Sequence, residues 1–302
     1  MKKASILVVV SYALVYLVWG STYFFIKEAV ETIPPTVIVA LRFLIGAIIL
    51  AVIARARGGL RSIPKPKEIA GAALIGVLLL LLGNGLITLA EQTIPSWTAS
   101  VVIACMPIYV AIFNFFLYRT KVSPIRWIGV LTGVLGVTLV LVNGGAAGAA
   151  LGPALFIAIA GALAWGLGTS MAKSLPKPPD VLVSTFIQML VAGIAALILG
   201  ALSGVNVMES LAGASPWSLF SLGYLALLGS LTLVAYNHLL VAEPSFRVSS
   251  YALVNPLIAV VLGLATGEKA SPYFAFGTPL VLAGLVAILY GDAIMGKLKG
   301  RK

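Results

Sequence analysis

A chain of 302 residues of which 61% are hydrophobic and only 10% charged cannot cover a soluble globule, whose composition carries about 25% charged residues. The net charge of +11 raises nucleic acid as a partner, but the basic residues are scattered over short segments between apolar runs, a poor nucleic-acid surface. Cys105 is the only cysteine, so no intramolecular disulfide forms, and glycine is abundant at 31 residues, which suits close helix approach in lipid.

The chain divides into ten apolar runs, each near the roughly 20 residues that a helix needs to cross the hydrocarbon core. The first, 5–26, follows Met1-Lys2-Lys3 and resembles a secretory signal peptide, but it is longer than a typical apolar leader and no soluble domain follows, so it reads as a span. Tyr12, Tyr16, Trp19 and Tyr23 recur along it at intervals of 4, 3 and 4, which sets them on one helix face. Tyr16 lies too deep for an interfacial aromatic belt, so this stripe is expected to face a cavity or a neighbouring helix. After Ile33-Pro34-Pro35 comes 35–54, with Arg42 as its eighth residue, about 10 Å into the membrane at 1.5 Å per residue. An ionisable group at that depth is a candidate functional site.

The third run, 69–90, carries Asn84 and Thr88 and leads to Glu91-Gln92; the fourth, 94–118, holds Cys105 and Pro107. The fifth, 125–142, ends at Asn143-Gly144-Gly145. The sixth, 151–171, carries Trp165, and the seventh, 181–201, carries Gln188. The last three are 219–240, 248–266 with Tyr251, Asn255 and Pro256, and 272–290. No break holds a separate soluble domain. The runs are continuously apolar, without the alternation of a barrel, so they are expected as helices, whose backbone groups bond internally. Pro107 and Pro256, which each lack the N–H that a helix interior uses, are expected either to kink their spans as packing features or to form a pair of symmetry-related hinges or a discontinuous polar site.

With the N-terminus cytoplasmic, 17 Lys and Arg fall on the inner side and only Lys27 and Lys269 on the outer, with Arg42 inside a span. That bias gives a topology with both ends cytoplasmic and explains the net charge. The chain also repeats itself. Trp19-Gly20 and Lys27 match Trp165-Gly166 and Lys173 at a spacing of 146; Pro95-Ser96, Ser100 and Pro107 match Pro244-Ser245, Ser249 and Pro256 at 149; Lys121 and Ser123-Pro124 match Lys269 and Ser271-Pro272 at 148. On the same register Arg42 corresponds to Gln188. The expected fold is therefore all-α and integral to the membrane, with ten transmembrane helices as two five-helix repeats, 1–145 and 146–302. An odd number of spans per repeat inverts one against the other, an architecture of many secondary transporters with the solute site between the halves.

Trp19-Gly20-Ser21-Thr22-Tyr23, Pro34-Pro35, Leu41-Arg42-Phe43, Gly83-Asn84-Gly85-Leu86 and Ala90-Glu91-Gln92 resemble the first half of an EamA-type permease of the drug/metabolite transporter superfamily, in particular its YedA-like members. The run Ser249-Ser250-Tyr251-Ala252-Leu253-Val254-Asn255-Pro256 with Gly267-Glu268 resembles the second half. The resemblance implies two inverted repeats and export of metabolites or amino acids across a bacterial inner membrane. The chain departs from the pattern at Trp97, where a small residue is expected, and at Tyr118-Arg119-Thr120-Lys121, where Leu-Gly-Glu is expected.

Enzyme chemistry finds little support. The nine acidic residues stand at span ends or in loops, without the Asp clusters that hold Mg²⁺ against phosphates. His238 is the only histidine, too few for a His-based metal cage, and no P-loop is present for ATP. No cofactor or metal is expected. The substrate-binding candidates are Trp19, Tyr23, Arg42, Asn84, Trp165, Gln188, Tyr251 and Asn255. Aromatic faces, amides and one guanidinium suit a small-molecule substrate such as an amino acid, metabolite or amphipathic drug; the other expected partner is the lipid bilayer. Two alternatives from other classes are an enzyme acting on lipid and a membrane sensor or scaffold that binds without transporting.

Overall fold

The structure, a computed structural model, describes residues 6–59, 63–94, 99, 102–141, 152–265 and 273–299. Its elements are α1 (Ile6–Val30), α2 (Pro35–Ala56), α3 (Pro66–Ala90), α4 (Met106–Tyr118), α5 (Pro124–Leu141), α6 (Pro153–Met171), α7 (Val181–Leu202), α8 (Val207–Ala212), α9 (Pro216–Ala242), α10 (Ser245–Val248), α11 (Tyr251–Ala265) and α12 (Phe274–Lys299). Among the described residues every regular element is helical. Seven helices are long and apolar enough to cross a membrane: α1, α2, α3, α6, α7, α9 and most of α12; α4 and α5 are shorter apolar helices.

The starts follow from the sequence. Pro35, Pro66, Pro124, Pro153 and Pro216 each open a helix, where a missing N–H costs nothing. Asp180 caps α7 by accepting from Leu182 N at 2.8 Å, and Ser215 caps α9 by accepting from Ser218 N at 3.0 Å. Pro107 stands in the first turn of α4, not inside a helix, so the expected kink is a helix start there; Pro256 does lie inside α11. The ninth run begins with a turn at Ser249-Ser250, which separates the short α10 before it from α11. The third run changes winding, since Val77–Asn84 is π-helical, a wider turn common at functional sites. Helix α8 was not expected; Asn206 caps it by accepting from Met208 N at 3.0 Å. Trp97, Glu268 and the Asn143-Gly144-Gly145 break lie outside the described residues.

The polarity is that of a bundle in lipid. Ile48, Phe116, Leu202 and Phe276 are at least 65% exposed, while Thr88, Thr185, Ser221, Ser230 and Thr232 are wholly buried. Helices meet through small residues instead of an apolar driving force. On α5, Gly129 and Gly133 face Gly284 of α12 so closely that a Cβ on Gly284 would stand 2.5 Å from Gly129 O and 2.7 Å from Gly133 Cα.

Neighbours are arranged in matched pairs. α1 packs on α9 as α6 packs on α3; α1 packs on α11 as α6 packs on α4; α2 packs on α9 as α7 packs on α3. The pairs α2–α7 and α5–α12 are each their own counterparts when the halves are exchanged. This arrangement brings α1, α2 and α3 against α6, α9 and α11.

Candidate functional site

Where those helices meet there is a cavity of about 40 Å³, room for water and well below the roughly 300–1,000 Å³ of an open small-molecule pocket. Trp19, Tyr23, Arg42, Asn84, Trp165 and Tyr251 all line it. Thr22, Phe43, Gly83, Gly229 and Leu233 complete much of the wall. Six of the eight residues singled out from the sequence thus come together, from five helices.

One end of the cavity is an aromatic cluster. Trp19 sits edge-on to Trp165 with ring centroids 5.4 Å apart, to Tyr251 at 5.2 Å, and tilted on Tyr236 at 4.8 Å. The Trp165 indole N–H donates to the Tyr236 hydroxyl at 3.2 Å, which also meets the Thr169 hydroxyl. Gly83, in the π-helical stretch, makes room for this ring: a Cβ there would lie 2.9 Å from Trp165 Cε3. Beyond the cluster the helices are laced together. The Tyr16 hydroxyl bonds Ser250 Oγ at 2.8 Å, Asn114 Nδ2 donates to Ser245 Oγ at 3.0 Å, Arg247 pairs with Glu243 at 3.0 Å and Arg126 with Asp292 at 2.8 Å. The aromatic stripe of α1 faces inward along its whole length, with Tyr12 edge-on to Tyr16 at 5.6 Å.

Arg42 supplies the charge. Its side chain is 4% exposed, Nη1 donates to Asn84 Oδ1 at 3.1 Å, and Nε has no partner. Neither ion pair among the described residues involves it. Gly229 leaves the space it occupies, since a Cβ there would meet Nη2 at 3.0 Å. A buried guanidinium with a spare donor and no carboxylate bonded to it can receive an anionic group from outside.

Gln188 and Asn255 do not line the cavity. Gln188 donates to Ser184 Oγ at 3.3 Å and accepts from Asn237 Nδ2 at 2.9 Å; its backbone lies against Gly76. It ties α7 to α9 much as Arg42 ties α2 to α3. Asn255, with its amide nitrogen turned toward Tyr16 O at 3.2 Å and Tyr251 O at 3.1 Å, holds α1 to the turn at the head of α11, behind the cavity wall.

At the other end Ile26 and Ile87 line the cavity. One helical turn past Ile87 comes Glu91, immediately after α3, with its side chain wholly buried. Neither carboxyl oxygen has a hydrogen-bond partner, and Lys27 Nζ donates instead to the Glu91 backbone carbonyl at 3.0 Å. Burial pushes this carboxyl well above the usual carboxylate range, with Lys27 and then Arg42 pulling it back. Sequence reading placed Glu91 at a span end but could not show that it is sealed from water.

The fold and cavity define a multi-pass membrane protein with a small polar and aromatic cavity between its helices. The chain belongs to the EamA-like transporter family, whose model matches residues 6–142 and again 152–290. It is similar to the inner membrane transporter YedA of Escherichia coli (strain K12), 34% identical over 258 residues that cover 84% of this chain and 81% of the relative. It is also similar to the transporter YvbV of Bacillus subtilis (strain 168), 23% identical over 96% of this chain and 92% of that one. A solved crystal structure superposes with a TM-score of 0.76 at 17% identity, covering 94% of this chain and 98% of the other; at that identity the likeness is one of fold.

Proposed function

We propose that this member of the family exports small metabolites or amino acids across the inner membrane by alternating access, with both termini cytoplasmic. The two halves, 1–145 and 146–302, are inverted five-helix repeats that give ten spans. The matched helix contacts support this, because exchanging the halves maps the principal helix pairs onto one another. The observation that carries the solute site is the buried guanidinium of Arg42, bonded to Asn84 but with Nε unpartnered, in a cavity lined by aromatic and aliphatic side chains.

The chemistry follows from that lining. A carboxylate end takes the spare Arg42 donors and the Asn84 amide, and an apolar or cationic end lies on Trp19, Trp165 and Tyr251, whose faces attract both. Gln188 and Asn255 act by holding helices. One guanidinium cannot balance a polyphosphate, which calls for several basic groups at close range, so nucleotide-sugar cargo is disfavoured. Purified protein in proteoliposomes should move at least one member of a panel of zwitterionic amino acids and amphipathic cations. Trp165→Ala and Asn84→Ala, both at the cavity wall, should each lower that flux severalfold without loss of expression. Near-normal flux by both variants across the panel would place the site elsewhere.

A further inference from the structure

Glu91 has no part in holding the solute as described, and nothing in the fold explains a carboxyl there as a packing device. Buried carboxylates in proteins are paired or hydrogen-bonded, because an isolated charge loses its hydration without return. Glu91 is wholly buried and has neither kind of partner. Its cations are engaged elsewhere: Lys27 on α1 bonds a backbone carbonyl, and Arg42 on α2 bonds Asn84. Tyr23 on α1 is the other titratable group whose field reaches it. α6 also packs on this end of α3, and its sequence from Pro153 to Met171 contains no charged or titratable side chain.

We propose that Glu91 is a proton-binding site that couples solute movement to the proton gradient, a role that rests on the transporter reading. With the Lys27 end of the bundle closed, Glu91 is the neutral acid, O–H intact, because the carboxyl is fully buried without a hydrogen-bond partner. Separation of α1 from α3 at Lys27 admits water. The O–H bond then breaks, the electron pair stays on the carboxylate, the proton leaves on water, and the freed Lys27 ammonium faces the new anion. When the bundle opens on the opposite side, a proton that reaches Glu91 through the chamber restores the neutral acid, so each cycle carries one proton across the membrane. Three of the cavity-lining residues, Tyr23, Ile26 and Ile87, stand within about a turn of Lys27 or Glu91, so the movement that exposes the carboxyl also opens the solute chamber. Each opening on that side is thereby tied to one protonation event.

The test has a substrate-free arm and a flux arm. Infrared difference spectra of the purified protein across pH steps should show a protonated-carboxyl C=O stretch that persists at neutral pH, disappears in alkali and is absent from Glu91→Gln. The same band in both proteins would overturn the assignment, as would its absence from the wild type. In proteoliposomes, with radiolabelled amino acids as the probe, the wild type should accumulate solute under an imposed pH gradient. Glu91→Gln, which mimics the neutral acid, should lose the gradient-driven part and keep exchange at equal pH, with Glu91→Asp restoring coupling. Gradient-driven accumulation surviving in Glu91→Gln overturns the proposal. So does loss of equal-pH exchange in a Glu91→Gln protein that melts like wild type, since that marks a general role. If no solute moves in the wild type, the transporter reading fails, and the infrared arm alone decides whether Glu91 holds a proton.

Discussion

Replacing Trp165 by Ala should weaken both the fold and the flux, by separable amounts. The indole makes ring contacts with Trp19 and Tyr236, at 5.4 and 5.8 Å, and donates to the Tyr236 hydroxyl at 3.2 Å. Each aromatic pair is worth about 0.5–1.5 kcal/mol beyond burial, and the hydrogen bond a net of about 1 kcal/mol. Together they come to about 2–4 kcal/mol, in line with the roughly 3–5 kcal/mol that Trp→Ala changes cost in cores. All three contacts are present without solute, so this loss falls on stability, read as a lower melting temperature in detergent. The flux loss is separate and comes from the solute's own contact with the indole; at about 1 kcal/mol it amounts to roughly fivefold in binding. Trp165→Phe keeps a ring but not the donor, and should lie between wild type and Trp165→Ala in both assays. Leu285→Ala on α12, away from the cavity, serves as the control. A Trp165→Ala protein that melts and transports like Leu285→Ala would refute the aromatic cluster as a packed wall of the site.

Gly284→Ala should destabilise by about 1–3 kcal/mol through overpacking, because its Cβ would meet the backbone of Gly129 and Gly133, whereas Gly223→Ala, with nothing within 4 Å of the added atom, should be neutral; equal melting temperatures would contradict the α5–α12 contact. Glu91 makes stability depend on pH. Its folded carboxyl titrates above the ordinary range, so the contribution is full below that range and is lost as pH rises through the folded value. Melting temperature should therefore fall toward alkaline pH more in wild type than in Glu91→Gln, and parallel profiles would show that Glu91 is not sealed. Lys27→Gln removes a charge that pulls the carboxyl down, so it should shift that fall to higher pH; a shift to lower pH would contradict the pairing. Alkaline phosphatase fused after Gly145 should be active and after Lys177 inactive, and the reverse pattern would sink the inverted topology.

Much of the bundle was legible because a bilayer imposes a simple rule on length and polarity, and because proline marks helix starts. Polar and aromatic residues at depth were equally legible, which is why Trp19, Tyr23, Arg42, Asn84, Trp165 and Tyr251 could be named from type and position. The direction a side chain takes was not. Gln188 and Asn255 are polar side chains like Asn84, yet Gln188 bonds Ser184 and Asn237 and Asn255 turns toward the Tyr16 and Tyr251 carbonyls. Leu80, Ile87 and Leu233 line the cavity but could not be told from lipid-facing residues in helices that are apolar all round. Spacing held a usable hint: Thr22 is three residues from Trp19, and Leu80 is four from Asn84. The burial of Glu91 depends on the packing of α1 and α2 over the end of α3, which no local pattern records.

The central claim is that the chamber carries solute across the membrane, and solute flux into proteoliposomes tests it most directly. Reconstituted wild-type protein is expected to move at least one amino acid or amphipathic cation faster than protein-free vesicles, with flux lowered by Trp165→Ala and retained by Leu285→Ala. Saturable binding of a solute at the chamber with flux no greater than that of protein-free vesicles would contradict the account and leave a membrane sensor in its place.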